Sequence, residues 1–308
     1  MLASRRGRLD LLLDASCTGI TASYAGTDTM CLSLAWRGRC IPLLWRSRRR
    51  GTGATPRWRV VIADFIRQLA PLIPPGTQIV VFADRGLTGR PLLLQLQECG
   101  WHYILRCERT AGIKGADSAE QPLSALVPSP DSPNRFLTGV HVFAPRHKRN
   151  RKQRHINGCG SWYRAWRRAL TTNVVAVWRT DDADPWLLLT DLPATQARCT
   201  EYRHRTWQEE GFRDWKSSGW NWQRSRVRIP ERVDRLLLLL ALATLWMAVL
   251  AQHLTRRGIR PLLEPRTTRW YSHFQLALHY IERLLNLDRP IHCSLRLPPE
   301  SRAPVKLS

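Results

Sequence analysis

The chain has 308 residues, 44% of them hydrophobic and 23% charged, which suits one large or two ordinary domains with a sizeable core and excludes a wholly disordered chain. Its 48 Lys and Arg against 24 Asp and Glu leave a formal charge of +24, far beyond what solubility needs, and point to a polyanionic partner, nucleic acid first. Only five of the 48 are Lys, a codon bias that explains Arg over Lys but not basic over acidic, and the surplus is clumped: eight Arg and no acid between Asp28 and Asp64, nine bases and no acid from Arg146 to Arg168.

In chain order, Leu9 to Ser16, Met30 to Trp36 and Ile41 to Trp45 are apolar runs parted by Gly19, Gly26 and the pair Arg37-Gly38, so three strands joined by tight turns are predicted. A loop of Arg and Gly, Arg46 to Gly53, leads to a helix start at Thr55-Pro56, with Val60, Val61, Phe65, Ile66 and Leu69 at helical spacing as far as Pro71. Gln78 to Ala83 is a continuous β-branched and aromatic run, the pattern of a strand buried on both faces, ended by Asp84-Arg85-Gly86. Pro91 fits the first turn of the next helix, Gly100 closes it, and His102 to Cys107 makes another strand. The order β-β-β-α-β-α-β predicts a mixed sheet whose parallel crossovers lie only in its second half.

Residues 108 to about 185 break this rhythm with a Pro/Ser/Asp-rich stretch (Ser118 to Asn134), the basic run Arg146 to Arg154, and strand-like runs at Phe136 to Phe143 and Asn173 to Trp178: an inserted, β-rich module. Trp186 to Leu192 returns as a strand, Ala194 to Lys216 as one long helix, Pro230 to Leu254 as a helix apolar on most sides, and Tyr271 to Leu287 as a terminal amphipathic helix. Leu236 to Ala251, 16 mostly apolar residues, is short for a membrane span and is read as a buried core helix. The eight cysteines form no C-x-x-C pair and read as reduced cytosolic thiols; His147, His155 and Cys159 lack the second ligand pair a zinc ribbon needs. The division is 1–107 for the first part of a core, 108–185 for the insertion, 186–260 for the second part, and 261–308 for a C-terminal helix and tail.

Asp14 ends the first strand and Asp84 the fourth, positions where Asp also serves as a turn or cap residue. A third segment changes the weighing. On an ideal helix at about 100° per residue, Tyr202, Arg205, Glu209 and Lys216 fall at about 0, −60, −20 and −40°, one stripe about 60° wide, with Trp207 nearly opposite. One carboxylate, one phenol and two cations on one stripe suit a phosphate substrate: the carboxylate shares a divalent metal with two other Asp, and the cations neutralise the backbone. An Arg205–Glu209 pair on a solvated helix face is the alternative. Glu210 rivals Glu209 but sits about 100° further round, and Asp10 rivals Asp14 from the same strand face.

The spacing Y-x2-R-x3-E-x6-K, met by Tyr202, Arg205, Glu209 and Lys216, resembles the signature of the bacterial insertion-sequence DDE transposases of the fourth insertion-sequence family. Leu11-Leu12-Leu13-Asp14 resembles that family's first-Asp strand, Phe82-Ala83-Asp84-Arg85-Gly86 its second-Asp motif, and Trp186 to Leu192 the strand ahead of the signature helix. The resemblance runs from Leu9 to Leu287. It implies an α/β fold, an RNase H-like mixed sheet with flanking helices interrupted by a β-rich insertion between the second Asp and the Glu. It implies Asp14, Asp84 and Glu209 as catalytic and metal-binding residues, two Mg2+ ions with Mn2+ able to substitute, and Tyr202, Arg205 and Lys216 as contacts to the DNA end.

The implied activity is cleavage of transposon ends and strand transfer into target DNA, with double-stranded DNA as partner, a homodimer in the DNA complex, no membrane, and a cytoplasmic, nucleoid-associated location. Arg149 and Arg151 of the basic run are further candidate DNA contacts, and Trp162, Trp166 and Trp178 candidates to stack a flipped base or to fill the core. Family members carry a helical DNA-binding region ahead of the first Asp strand, which has only about eight residues before it here and so is expected to be missing. The alternatives are a structure-specific nuclease without strand transfer and a decayed, non-catalytic DNA-binding fragment.

Overall fold

In the computed structural model, described at residues 7–18, 26–50, 58–115, 119–143, 169–265, 268–291 and 295, the three opening runs form β1 (Arg8–Thr18), β2 (Thr27–Trp36) and β3 (Arg39–Arg49). They pair antiparallel in succession. The β2–β3 turn is two residues, Arg37 at φ 49° and Gly38 at φ 81°, the doubly positive geometry whose twist matches a tight hairpin. Arg46 to Arg49, expected in a loop, continue β3: the register slips between Leu32 and Ser33, so β3 accommodates Pro42 at a bulge on the outer edge of the sheet and then pairs on to Arg49.

Helix α1 (Trp58–Leu69), β4 (Gln78–Ala83), α2 (Arg90–Glu98) and β5 (His102–Arg106) follow, with β1, β4 and β5 parallel neighbours. Period-two alternation divides β1 between two faces. Leu9, Leu11 and Leu13 pack with Ile62, Phe65, Ile66, Leu92 and Leu96 of α1 and α2, while Leu12 joins Val80, Phe82, Cys199 and Tyr202 on the opposite face.

Strands β6 (Gly112–Lys114), β7 (Gln121–Pro122), β8 (Arg135–Phe143) and β9 (Leu170–Val177) fall within the expected insertion and continue the same sheet through β10 (Trp186–Thr190), which pairs antiparallel with both β5 and β9. The result is one ten-stranded mixed sheet in the order β3-β2-β1-β4-β5-β10-β9-β8-β6-β7, flanked by helices, the expected fold class.

The helix expected from Ala194 to Lys216 is instead three pieces: α3 (Ala197–Tyr202), a 3-10 turn at Arg203–Arg205, and α4 (Thr206–Lys216). The Thr206 hydroxyl donates to the Arg203 carbonyl at 2.8 Å, a local bond that competes with regular helix bonding. Three 3-10 residues advance about 120° each instead of about 100°, which rotates α4 by about 60° relative to α3. Phe212 and Trp215 of α4 pack with Cys31 and with Val233 and Leu237 of α5 (Pro230–Arg256). α5 in turn packs Met247, Leu250 and Leu254 against Phe274 and Leu276 of α6 (His273–Asn286), which a Ser272–Gln275 capping box opens. Among the described residues α5 is long and apolar enough to cross a membrane, with 44% of its most apolar window buried in the protein. The six described cysteines form no disulfide.

Candidate active site

The register Leu13↔Ala83 is the last pairing of the parallel strands β1 and β4, so Asp14 and Asp84 follow it side by side at the carboxyl end of the pair. Open α/β sheets present ligand groups at the carboxyl ends of parallel strands; β4 ends at Ala83, whereas β1, expected to end at Asp14, runs on against β2 to Thr18. The backbone after Asp84 is tied into a turn: Leu87 N–H donates to the Asp84 carbonyl at 3.0 Å, and the Thr88 hydroxyl donates to the Arg106 carbonyl at 2.6 Å. The 3-10 turn between α3 and α4 projects Arg205 over these strand ends. Its Nη2 lies 3.2 Å from Asp14 Oδ2 and 3.6 Å from Asp84 Oδ2, while its Nη1 donates to Glu209 Oε1 on α4. Three carboxylates from three elements thus converge on one guanidinium.

Burial pushes the Asp14 carboxyl up to about 6, and the charges of Asp84 and Glu209 add to that; Arg205 and the Ala15 N–H, 2.8 Å from Oδ1, oppose it. Burial works against the charge on Arg205, but Asp14, Tyr202, Asp84 and Glu209 outweigh it and raise its pKa. Burial lowers the pKa of Lys216, whose ammonium donates to the Cys17 carbonyl at 2.9 Å, three residues beyond Asp14 on β1. Three acidic oxygen donors are the set a hard divalent cation takes, and the guanidinium marks a place where positive charge is favoured. As arranged around Arg205, no three His, Cys, Asp or Glu side chains among the described residues stand close enough to share an ion.

The rivals are held by other partners. Asp10 is held by Arg8 Nε at 2.6 Å and His204 Nδ1 at 2.8 Å, and Glu210 by Arg213 and by Arg39 Nη2 at 3.7 Å. Tyr202, expected to contact the DNA end, is buried. Its ring packs edge-on against Trp186 with its hydroxyl 3.4 Å from the Ala83 carbonyl, whereas the Glu209 side chain is 54% exposed. Trp207 is half-buried and stacks on His204 at 4.3 Å. Arg149, Arg151, Trp162 and Trp166 lie outside the described residues. Trp178 is half-buried, its indole N–H donating to the Asp182 carbonyl at 3.0 Å. Sequence reasoning missed Thr88 and the Asp10–His204 pair. The signal for Asp10 was present in its sharing a β1 face with Asp14; Thr88 gave none. A cavity of about 370 Å3 opens by Ile113, Gln121 and Leu137 at the β6–β8 end of the sheet and involves none of these carboxylates.

No curated protein matches the chain. Among solved structures, a piggyBac transposase synaptic complex with hairpin DNA is similar at 15% identity and a TM-score of 0.32, over 64% of this chain; this chain spans only 38% of that one. Residues 59–246 match the family model described as Transposase DDE domain, a stretch that holds Asp84 and Glu209 and starts beyond Asp14. With more than half of its length inside that match, the chain belongs to the transposase DDE domain family.

Proposed function

We propose that the chain cuts the ends of a mobile DNA element and joins the freed 3′ ends to target DNA by metal-dependent phosphoryl transfer, as an insertion-sequence transposase of the fourth insertion-sequence family. The observation that carries this reading is the convergence of Asp14, Asp84 and Glu209 on one guanidinium at the end of a parallel strand pair. Asp14, Asp84 and Glu209 would hold two Mg2+ or Mn2+ ions, which when bound supply activation of the attacking hydroxyl and stabilisation of the leaving oxygen.

The remaining work belongs to the chain. Arg205 and Lys216 set positive charge beside the phosphate to be cut, where extra negative charge develops. Tyr202 acts from beneath: its buried ring braces the backbone just before Asp84. The clumped basic residues, Arg149 and Arg151 among them, position duplex DNA through its phosphates without reading sequence. In this reading two copies of the chain assemble on the element's two ends.

The test is single-turnover cleavage of a duplex carrying an element end, with Mg2+. Asp14→Ala, Asp84→Ala and Glu209→Ala should each cut at least about a thousandfold more slowly with affinity for DNA retained, since removing negative charge does not weaken attraction to phosphate. Asp10→Asn and Glu210→Ala should stay within about tenfold of wild type. Cleavage by Glu209→Ala at the wild-type rate would falsify the assignment. A cut 3′ end that never appears joined to a second duplex would leave a nuclease.

A further inference from the structure

The guanidinium of Arg205 stands in the middle of the carboxylates that the proposed function assigns to a metal. Its Nη2 reaches Asp14 and Asp84 at 3.2 and 3.6 Å, and its Nη1 bonds Glu209. A guanidinium and a divalent cation cannot fill the same space between three acidic groups, and their charges repel at that range. Arg205 is also incompletely satisfied where it stands: its Nε is buried and has no hydrogen-bond partner among the described residues. An arginine built as a permanent hub has its donors taken, because a buried donor without a partner costs stability. The residue further sits at the end of the 3-10 turn between α3 and α4, the kind of break within a helix that often marks a hinge.

We propose that Arg205 is an exchangeable cation: in the DNA-free chain it holds Asp14, Asp84 and Glu209 together and competes with divalent metal, and it gives way when a DNA phosphate captures it. The inference rests on the assignment of those three carboxylates as the metal ligands. A phosphate oxygen pair matches the planar fork of a guanidinium at least as well as the carboxylates do. When the phosphate takes Arg205, three carboxylates are left facing one another without their cation, and their affinity for a divalent ion rises. DNA and metal then promote each other's binding, and by linkage the effect is equal in both directions. The consequence is a site that loads metal on DNA rather than in free solution.

The experiment measures Mn2+ binding directly, by the loss of the free-ion electron paramagnetic resonance signal. It uses the full chain at fixed ionic strength, with and without a saturating short duplex whose own Mn2+ uptake is subtracted. Without DNA, Arg205→Gln should bind Mn2+ about tenfold or more tighter than wild type, and Arg205→Lys, which keeps the charge, should stay near wild type. The duplex should tighten Mn2+ binding by wild type about tenfold or more, within the usual range of coupling between sites, and tighten binding by Arg205→Gln much less. Equal Mn2+ affinity of wild type with and without duplex overturns the proposal, and this comparison needs no variant to fold. Arg205→Gln binding no tighter than wild type, with an unchanged thermal unfolding curve, overturns it too. Asp84→Ala separates the two levels. If it binds Mn2+ like wild type, the carboxylate assignment fails; if it loses Mn2+ while Arg205→Gln changes nothing, only the exchange fails.

Discussion

His273 opens α6 in a pocket lined by Trp36, Arg39, Asp214 and Phe274, its ring centroid 6.3 Å from that of Trp36. Burial, and then the charges of Arg260, Arg37, Arg39 and Arg269, lower its pKa to about 4; the nearby carboxylate, Asp214, is taken by Arg39 Nε at 3.0 Å. Between pH 6.5 and 4 the unfolded chain therefore binds a proton at this residue that the folded chain does not. His273 contributes stability above pH 6.5 that is lost as pH falls through that window, by about 3 kcal/mol at most. Urea unfolding of wild type and His273→Gln across pH 4 to 7 should give a difference that grows in the variant's favour as pH falls; a pH-independent difference would show that His273 titrates normally. The same scale marks what sequence reading reaches. That Asp84 follows a strand and Glu209 lies on a helix was legible, because both are local properties; that β1 runs four residues past Asp14 was not. Arg205 among the carboxylates was not, because it depends on how α4 sits over β1 and β4. Tyr202 was read as a contact to the DNA end, and its burial was not legible because it depends on Trp186 and the Ala83 carbonyl packing against it.

At the scale of elements, the distance of α4 from the sheet is set by Gly211. A Cβ there would meet Cys40 Sγ at 2.3 Å, so the helix approaches β3 as closely as a residue without a side chain permits. In a free helix, replacing Gly by Ala gains about 1 kcal/mol. Here the clash with a buried sulfur reverses the sign, and Gly211→Ala should lose about 1 to 3 kcal/mol, the usual cost of an overpacked core. In a Cys40→Ala background the same change should become neutral or favourable. A double-mutant cycle in urea with no coupling between the two positions would mean the helix moves off the sheet freely. Since α4 carries Glu209, Gly211→Ala should also slow cleavage more than it weakens DNA binding. The strands of the core and the helices α1, α2, α5 and α6 were legible from apolar periodicity. That β6 to β9 extend the core sheet was not, because β10 bonds β5 on one side and β9 on the other, and no sequence pattern names a strand's partners.

For the whole molecule, the charge of +24 becomes useful only where the fold gathers it. The segment between α4 and α5 carries Arg224, Arg226 and Arg228, and it is tied to the sheet by the Thr27 hydroxyl, which donates to the Arg228 carbonyl at 2.8 Å. Thr27 pairs with Thr18, four residues beyond Asp14 on β1. At about 3.3 Å per residue, the segment meets the sheet about 13 Å along the strand from the carboxylates, a few phosphates away on a bound duplex. Arg226 is exposed and holds φ at 56°, a conformation that costs a long side chain and that glycine adopts freely. Removing Arg226 in favour of Gly thus separates charge from fold: stability should hold or rise while DNA affinity falls. Each phosphate no longer neutralised should flatten the log–log dependence of affinity on salt by about 0.9, so Arg224→Ala with Arg226→Gly should reduce the slope by up to about 1.8. Because these ion pairs are alike in the bound and reacting states, the rate at saturating DNA should stay near wild type. Binding isotherms across a salt series, paired with thermal unfolding, decide the matter. An unchanged slope would place the duplex elsewhere on the surface, and a fall in melting temperature would make Arg226 a structural residue of the turn.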